Sequence, residues 1–230
     1  MRIGIVVGMA AEAAEAAAPS AALAASLRPL VFVAGRRPGR AQEGARQLLA
    51  QGAAALLSFG VAGGLDPTLK PGDAVLASAV TAPDGMAIET DPNWRRRLER
   101  QLAGRAREGA IAGADRMIAT RAEKAALART SRALAVDMES HQVARAAAAA
   151  GVPFMALRVI VDGAERDLPR AALAGLAPDG TTRPFAVVAR LLLRPWELPR
   201  LAALAGDSRR ALAALGRLAA DLGPAFGLLV

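Results

Sequence analysis

Short apolar runs that stop at Gly or Asp and give way to helical patterning constrain this chain most. Residues 3–7 stop at Gly8, 30–33 run toward Gly35, and 53–59 stop at Gly60. Residues 74–80 follow Gly72-Asp73, and 109–114, 133–136 and 154–161 complete the set. Runs this short and this continuous suit strands covered on both faces, the pattern of a parallel sheet. Between them, 41–51 and 139–150 read as helices closed by Gly52 and Gly151, residues that accept the left-handed conformation of a C-cap. The expectation is an α/β fold: a single-domain three-layer αβα sandwich on a mainly parallel mixed sheet. With 230 residues, 53% of them apolar, one such core is well supplied.

The domain is expected over 1–183, with a helical C-terminal extension over 184–230 packed on it. Pro195 and Pro199 are expected to break the extension into short helices. The last, 209–222, would be capped by Asp207 or Ser208. Leu212, Leu215, Leu218 and Ala219 mark one face of it, with Arg209, Arg210 and Arg217 elsewhere. That face either packs on the sheet or meets lipid.

Composition removes several kinds of chemistry. There is no Cys, so disulfides, thiolate zinc sites and Cys nucleophiles are excluded. His141 is the one His, so no multi-histidine metal site exists, and any Ser-His-Asp triad would pass through it. Aromatic residues are 3% of the chain, too few for base-stacking platforms along a single strand of nucleic acid. The net charge of +8 comes almost entirely from Arg. Glu12 and Glu15 interrupt the apolar start, against a signal peptide. No stretch reaches the roughly 20 apolar residues of a membrane span. A soluble or at most peripheral protein is expected, in the cytoplasm, with no nucleic-acid partner.

In an open parallel sheet, ligands sit beyond the carboxyl ends of the strands. After the first strand come Gly8, Met9 and Glu12; after the third, Ser58-Phe59-Gly60-Val61-Ala62-Gly63-Gly64. After the sixth comes Asp137-Met138-Glu139-Ser140, and after 154–161 comes Asp162-Gly163. Each signal has a plainer reading: Glu12 as a solvated helix residue, Glu139 as a first-turn acid, Asp162 as a turn residue, and 60–64 as a tight turn. The glycine segment lacks the Gly-Lys-Ser/Thr of a P-loop and the spacing of a dinucleotide fingerprint. Three acids and one glycine-rich segment nonetheless fall on one rim. Arg36, Arg37 and Arg40 follow the second strand there, as phosphate-holding cations or as a solvated basic loop.

Taken in order, these segments resemble a known family. Met1-Arg2-Ile3-Gly4-Ile5 to Met9 and Glu12 is similar to the start of the methylthioadenosine/S-adenosylhomocysteine nucleosidases, relatives of the purine nucleoside phosphorylases. Gly60-Val61-Ala62-Gly63-Gly64-Leu65 with Leu69-Lys70-Pro71-Gly72-Asp73, Val136-Asp137-Met138-Glu139, and Gly151-Val152-Pro153-Phe154 to Arg158, Ile160 and Asp162 also resemble that family's segments. The resemblance implies that Asp162 donates a proton to purine N7 and that Glu139, with Met9 and Met138, holds the ribose. It implies that Glu12 orients water in the hydrolytic branch. The base would lie near Gly60, Val61, Ala62, Gly63, Met117 and Ile118.

This chain also departs from the family. Val161 stands where the nucleosidases have Ser before the acid, and Met117 where they carry a stacking Phe. The segment 80–108 is shorter and lacks their aromatic loop, leaving the 5′ side open. Arg194-Pro195-Trp196-Glu197-Leu198-Pro199 and Gly206-Asp207-Ser208-Arg209-Arg210-Ala211-Leu212 resemble the C-terminus of the hopanoid-associated nucleoside phosphorylases. That branch implies removal of adenine from adenosylhopane at a membrane surface, by a homo-oligomer, with no cofactor and with phosphate as a co-substrate. The resemblance favours phosphorolysis, while the residues leave hydrolysis open. Two other functions stand beside it: a soluble methylthioadenosine/S-adenosylhomocysteine nucleosidase, and a non-catalytic nucleoside- or lipid-binding protein.

Overall fold

The computed structural model describes residues 2–35, 37–169 and 195–228. The strands are β1 (Arg2–Val7), β2 (Leu30–Val33), β3 (Ala53–Gly64), β4 (Ala74–Thr81), β5 (Ala87–Glu89), β6 (Ala106–Gly113), β7 (Ala135–Asp137) and β8 (Phe154–Asp162). The α-helices among the described residues are α1 (Ala10–Ala17), α2 (Arg40–Ala50), α3 (Pro92–Leu102), α4 (Arg121–Ser131), α5 (Ser140–Ala150) and α6 (Leu198–Leu222).

The sheet is mixed and mainly parallel. β1 pairs in parallel with β2 and β3, β3 with β8, β4 with β6, and β6 with β7. β8 runs antiparallel to β4, and β5 forms an antiparallel edge on β4. The far end of β3 pairs antiparallel with β7, Gly63 with Val136 and Gly64 with Ala135. The ladder therefore runs from β3 through β8, β4, β6 and β7 and returns to β3. That closure brings the ends of β3, β7 and β8 together.

Strand alternation fills two cores. Ile3, Ile5, Leu57, Phe59, Leu157 and Val159 face α3 and α6, whose Trp94, Leu98, Leu215 and Leu218 complete that side. Val6, Leu56, Val75, Ala156 and Ile160 face the opposite way, toward α2 and α5. The layers are helix, sheet and helix, as the continuous apolar runs imply.

Two differences from the sequence reading have clear causes. The segment 60–64 is the second half of a 12-residue strand and not a turn. Its backbone is held by Arg158, Val159 and Ile160 of β8 on one side and by β7 on the other. The tail does not break at Pro199 or start a new helix at 209. Pro199 lies in the first turn of a 25-residue helix, where its missing N–H has no partner to lose. Asp207 and Ser208 are interior; Ser208 Oγ donates to the Leu204 carbonyl at 2.8 Å, and Asp207 pairs with Arg166 and Arg210. The proposed 183/184 boundary falls outside the described residues.

Of the two readings of the tail's apolar face, packing is the one observed. Leu215, Leu218 and Ala219 are buried in the core, Leu212 is half-buried, and Arg209, Arg210 and Arg217 are exposed. α3 has fewer apolar residues, but Trp94, Leu98 and Leu102 recur at four-residue steps on its buried side. Asp91 caps it, accepting the Trp94 N–H at 2.7 Å, and the Trp94 ring N–H donates to the Phe226 carbonyl at 2.7 Å. Because α6 is part of the main core, Leu215→Ala should cost about 3 kcal/mol. Urea unfolding should show one transition shifted for the whole protein. A separate tail transition would contradict this packing.

Candidate active site

Glu12 is the third residue of α1, and its carboxylate reaches back to the chain that enters the helix. Oε2 accepts the N–H groups of Gly8 and Met9, both at 2.8 Å, and Oε1 accepts the Val61 N–H at 2.8 Å. One carboxylate thus joins the ends of β1 and β3, and only 2% of the residue is exposed. Burial pushes its carboxyl above the usual carboxylate range, opposed by Arg158 and these N–H donors.

Asp137 ends β7 and accepts the Ser140 N–H at 3.2 Å, which fixes the start of α5. Glu139 is the residue just before that helix and makes no side-chain capping bond. Its side chain turns instead toward β1. A Cβ on Gly8 would lie 3.1 Å from Glu139 Oε1 and 3.4 Å from Glu12 Oε2. Burial pushes the Glu139 carboxyl up to about 8; Arg158 opposes the rise, and Asp137 and Glu12 add to it.

Arg158 lies in the middle of β8 and is fully buried. Its Nη2 pairs with Asp137, donates to Ser58 Oγ at 2.5 Å and Ser140 Oγ at 3.2 Å, and lies 3.5 Å from Glu139 Oε2. Its Nη1 is buried without a hydrogen-bond partner. A side chain on Gly60 would meet both Glu12 Oε1, at 2.6 Å, and this Nη1, at 2.7 Å. Gly60 is therefore required by close approach, and it lies behind the cavity, not on its wall.

Asp162 ends β8 opposite Gly63 and is 4% exposed. Burial raises its carboxyl above the usual range, while Lys124 and Arg166 hold the rise down. Lys124, on α4, is fully buried and pairs with Asp162 Oδ2. Glu12, Glu139 and Asp162 all line one cavity of about 230 Å³. Met9, Val61, Ala62, Gly63, Met117, Ile118 and Met138 line it too, with Leu168, Leu204 and Ser208 on a further side.

The described arginines of the basic loop, Arg37 and Arg40, take other positions. Arg37 lies 3.6 Å from Glu43 at the surface, and Arg40, the first residue of α2, stacks 5.3 Å from the Phe32 ring centre. Neither lines this cavity, although Gly35 does, and Arg37 shares a small adjoining pocket with Met138 and Glu139. Arg36 lies outside the described residues. His141 is also absent from the cavity wall; its Nε2 faces Asp115 at 3.2 Å.

Three residues at the site are not among the functional candidates that the sequence singles out. Arg158 carried a readable signal, since a charge inside an apolar strand must be paired when buried. Asp137 carried a weaker one, as the first polar residue after a strand. Lys124 carried none: in Arg121-Ala122-Glu123-Lys124 it looks like any helix surface residue.

A sequence model described as the phosphorylase superfamily matches residues 2–193. The chain belongs to the phosphorylase superfamily. It is accordingly an enzyme acting on nucleosides. Among solved structures, this superfamily member is similar to the 5′-methylthioadenosine/S-adenosylhomocysteine nucleosidase of Helicobacter pylori, with TM-score 0.70, 19% identity and coverage of 94% of this chain and 97% of that one. The S-adenosylhomocysteine nucleosidase of Streptococcus pyogenes gives TM-score 0.70 and 19% identity over 100% of this chain and 98% of that one. The futalosine hydrolase of Helicobacter pylori gives 0.67 and 23% over 83% and 98%. No curated protein matches the sequence. No described helix is long and apolar enough to cross a membrane.

The raised Glu139 carboxyl has a measurable consequence. Between about 4.5, its value in the unfolded chain, and about 8, the folded protein holds a proton that the unfolded chain has lost. Stability therefore falls as pH rises through that window. Glu139→Gln mimics the protonated form. It should melt like the parent near pH 4.5 and be more stable at pH 8 by on the order of 2 kcal/mol. Equal stabilities at both pH values would place the Glu139 carboxyl in the ordinary range.

Proposed function

We propose that this enzyme cleaves the N-glycosidic bond of an adenine nucleoside bearing an apolar 5′ group, with water as the nucleophile. The observation that carries this reading is the convergence of Glu12, Glu139 and Asp162, from three distant segments, on one cavity.

Each carboxyl suits a different step. Water oxygen bonds to C1′ as the C1′–N9 bond breaks, and the bonding pair goes to the purine. Glu12, held by three N–H groups, takes the proton from water; its raised carboxyl is a stronger base than an ordinary Glu. Asp162 gives a proton to N7, so that the base leaves neutral. Glu139 takes the ribose hydroxyls, in bonds that strengthen as the sugar gains oxocarbenium character.

Water is favoured over phosphate by charge. The cavity wall carries Glu12, Asp137, Glu139 and Asp162, and its one lining cation among the described residues, Arg116, is mostly exposed and paired with Glu123. A phosphate dianion needs cations, and among the described residues this wall offers only that exposed, already paired one. The apolar 5′ group is supported by Leu168 and Leu204, which line the same cavity. On this fold, the Helicobacter pylori nucleosidase has been solved with a butyl-thio analogue and with 5′-methylthioadenosine. The resemblance to the hopanoid-associated branch makes adenosylhopane the first substrate to try, with the enzyme as a cytoplasmic homo-oligomer reaching lipid at its surface. Exposed Trp196 and Leu198, at the start of α6, support that contact.

The test is release of free adenine from adenosines carrying 5′ groups of increasing apolar size, with and without inorganic phosphate. We expect rates independent of phosphate and rising with 5′ apolar size; strict phosphate dependence would make the enzyme a phosphorylase. Asp162→Asn should lower kcat on the order of 10²- to 10⁴-fold while substrate still binds. Undiminished turnover in that variant would remove Asp162 as the acid.

A further inference from the structure

Lys124 is an unusual residue to find at full burial. It lies on α4, 38 residues before Asp162, and its side chain is 0% exposed. All three ammonium protons have acceptors: Asp162 Oδ2, the Gly163 carbonyl at 2.8 Å and the Arg166 carbonyl at 3.1 Å. Each donor of the side chain is thus satisfied within the protein. The carboxyl it touches is the one assigned the proton donation to the leaving base.

Val161, which precedes the acid, has no hydrogen-bonding side chain to orient it. Lys124 supplies orientation from another element. Asp162 lines the cavity, and with Oδ2 held by Lys124 its other oxygen, Oδ1, is the one left to meet a ligand. Lys124 also ties the loop after β8 to α4.

We propose that Lys124 is a positioning residue that fixes the orientation and the acid strength of Asp162. The proposal rests on the reading of Asp162 as the proton donor. A carboxyl buried beside Val161 without a cation would keep its proton tightly and give it up poorly. The adjacent ammonium makes it a stronger acid, closer to what transfer to N7 at neutral pH requires. In the empty site the pair is an ammonium and a carboxylate. The carboxylate takes its proton from solvent water as the purine enters and desolvates Oδ1, and passes that proton to N7 as the C1′–N9 bond breaks. Lys124 keeps its own protons throughout.

Other charged groups also face this carboxyl. Arg166 lies on the following loop and is itself paired with Asp207 of α6. Glu12, Asp137, Glu139 and Arg116 line the same cavity, and Arg158 lies behind it. None of these touches Asp162 Oδ2; a change at Lys124 frees that oxygen and also releases the Gly163 and Arg166 carbonyls.

The first measurement leaves Lys124 intact. Infrared difference spectra of the unliganded enzyme against Asp162→Asn at neutral pH should show the band of an ionised carboxylate. The band of a protonated carboxyl would overturn the proposal. This readout needs no turnover, so it stands apart from any failure of the nucleosidase reading. The second is the pH profile of kcat/KM for adenine release. The acid must be protonated to act, so activity falls on the alkaline side. Lys124→Met should move that alkaline limb up by roughly one to three pH units and lower kcat at least tenfold. Lys124→Arg, which keeps the charge, should leave the limb within a few tenths of a unit. A limb unmoved in a folded Lys124→Met protein, or moved equally by Arg, would reduce Lys124 to a structural clamp.

Discussion

The cavity depends on one guanidinium. Arg158 stands in the middle of an apolar strand and holds Ser58 of β3 together with Asp137, Glu139 and Ser140 of the β7–α5 junction. Carboxyls this close and this buried repel one another and lose their hydration. A single planar cation with several directed N–H groups offsets part of that cost and sets the geometry. Without it, the start of α5 and the end of β7 would have no charged anchor on the sheet.

The remaining cost is met by protonation and by backbone. Glu139 is pushed up to about 8, so it sheds its charge near neutral pH in preference to sharing the cavity as an anion. Glu12 takes three N–H groups from β1 and β3 in place of water. Gly8 and Gly60 make these approaches possible, because a Cβ at either would press on a carboxylate. Asp162 uses a different solution, a private ammonium on α4. Four acids in one cavity thus sit in four distinct environments, and that is how residues of one kind take on unlike roles.

Much of this could be read before any coordinates. The seven apolar runs all became strands, because residues buried on both faces must be continuously apolar. Gly60 stood out, and a Cβ there would press on Glu12 and Arg158. Glu12, Glu139 and Asp162 stood out as acids following strands. What misled was punctuation. Glycine at 60–64 suggested a turn, and proline at 199 a break. Pairing with β7 and β8 holds the glycines extended, and a first-turn proline costs a helix nothing.

The order of short buried strands, the acids at their ends and the want of thiol chemistry are written in the sequence. They follow from local rules: what can be buried, and what can follow a strand. Tertiary structure alone decided which charges face one another. It took Arg37 and Arg40 to other partners, and it brought Lys124, indistinguishable in sequence from a surface lysine, against Asp162. Electrostatic partners are chosen by distance in space, and the closure of β3 onto β7 sets those distances between residues far apart along the chain.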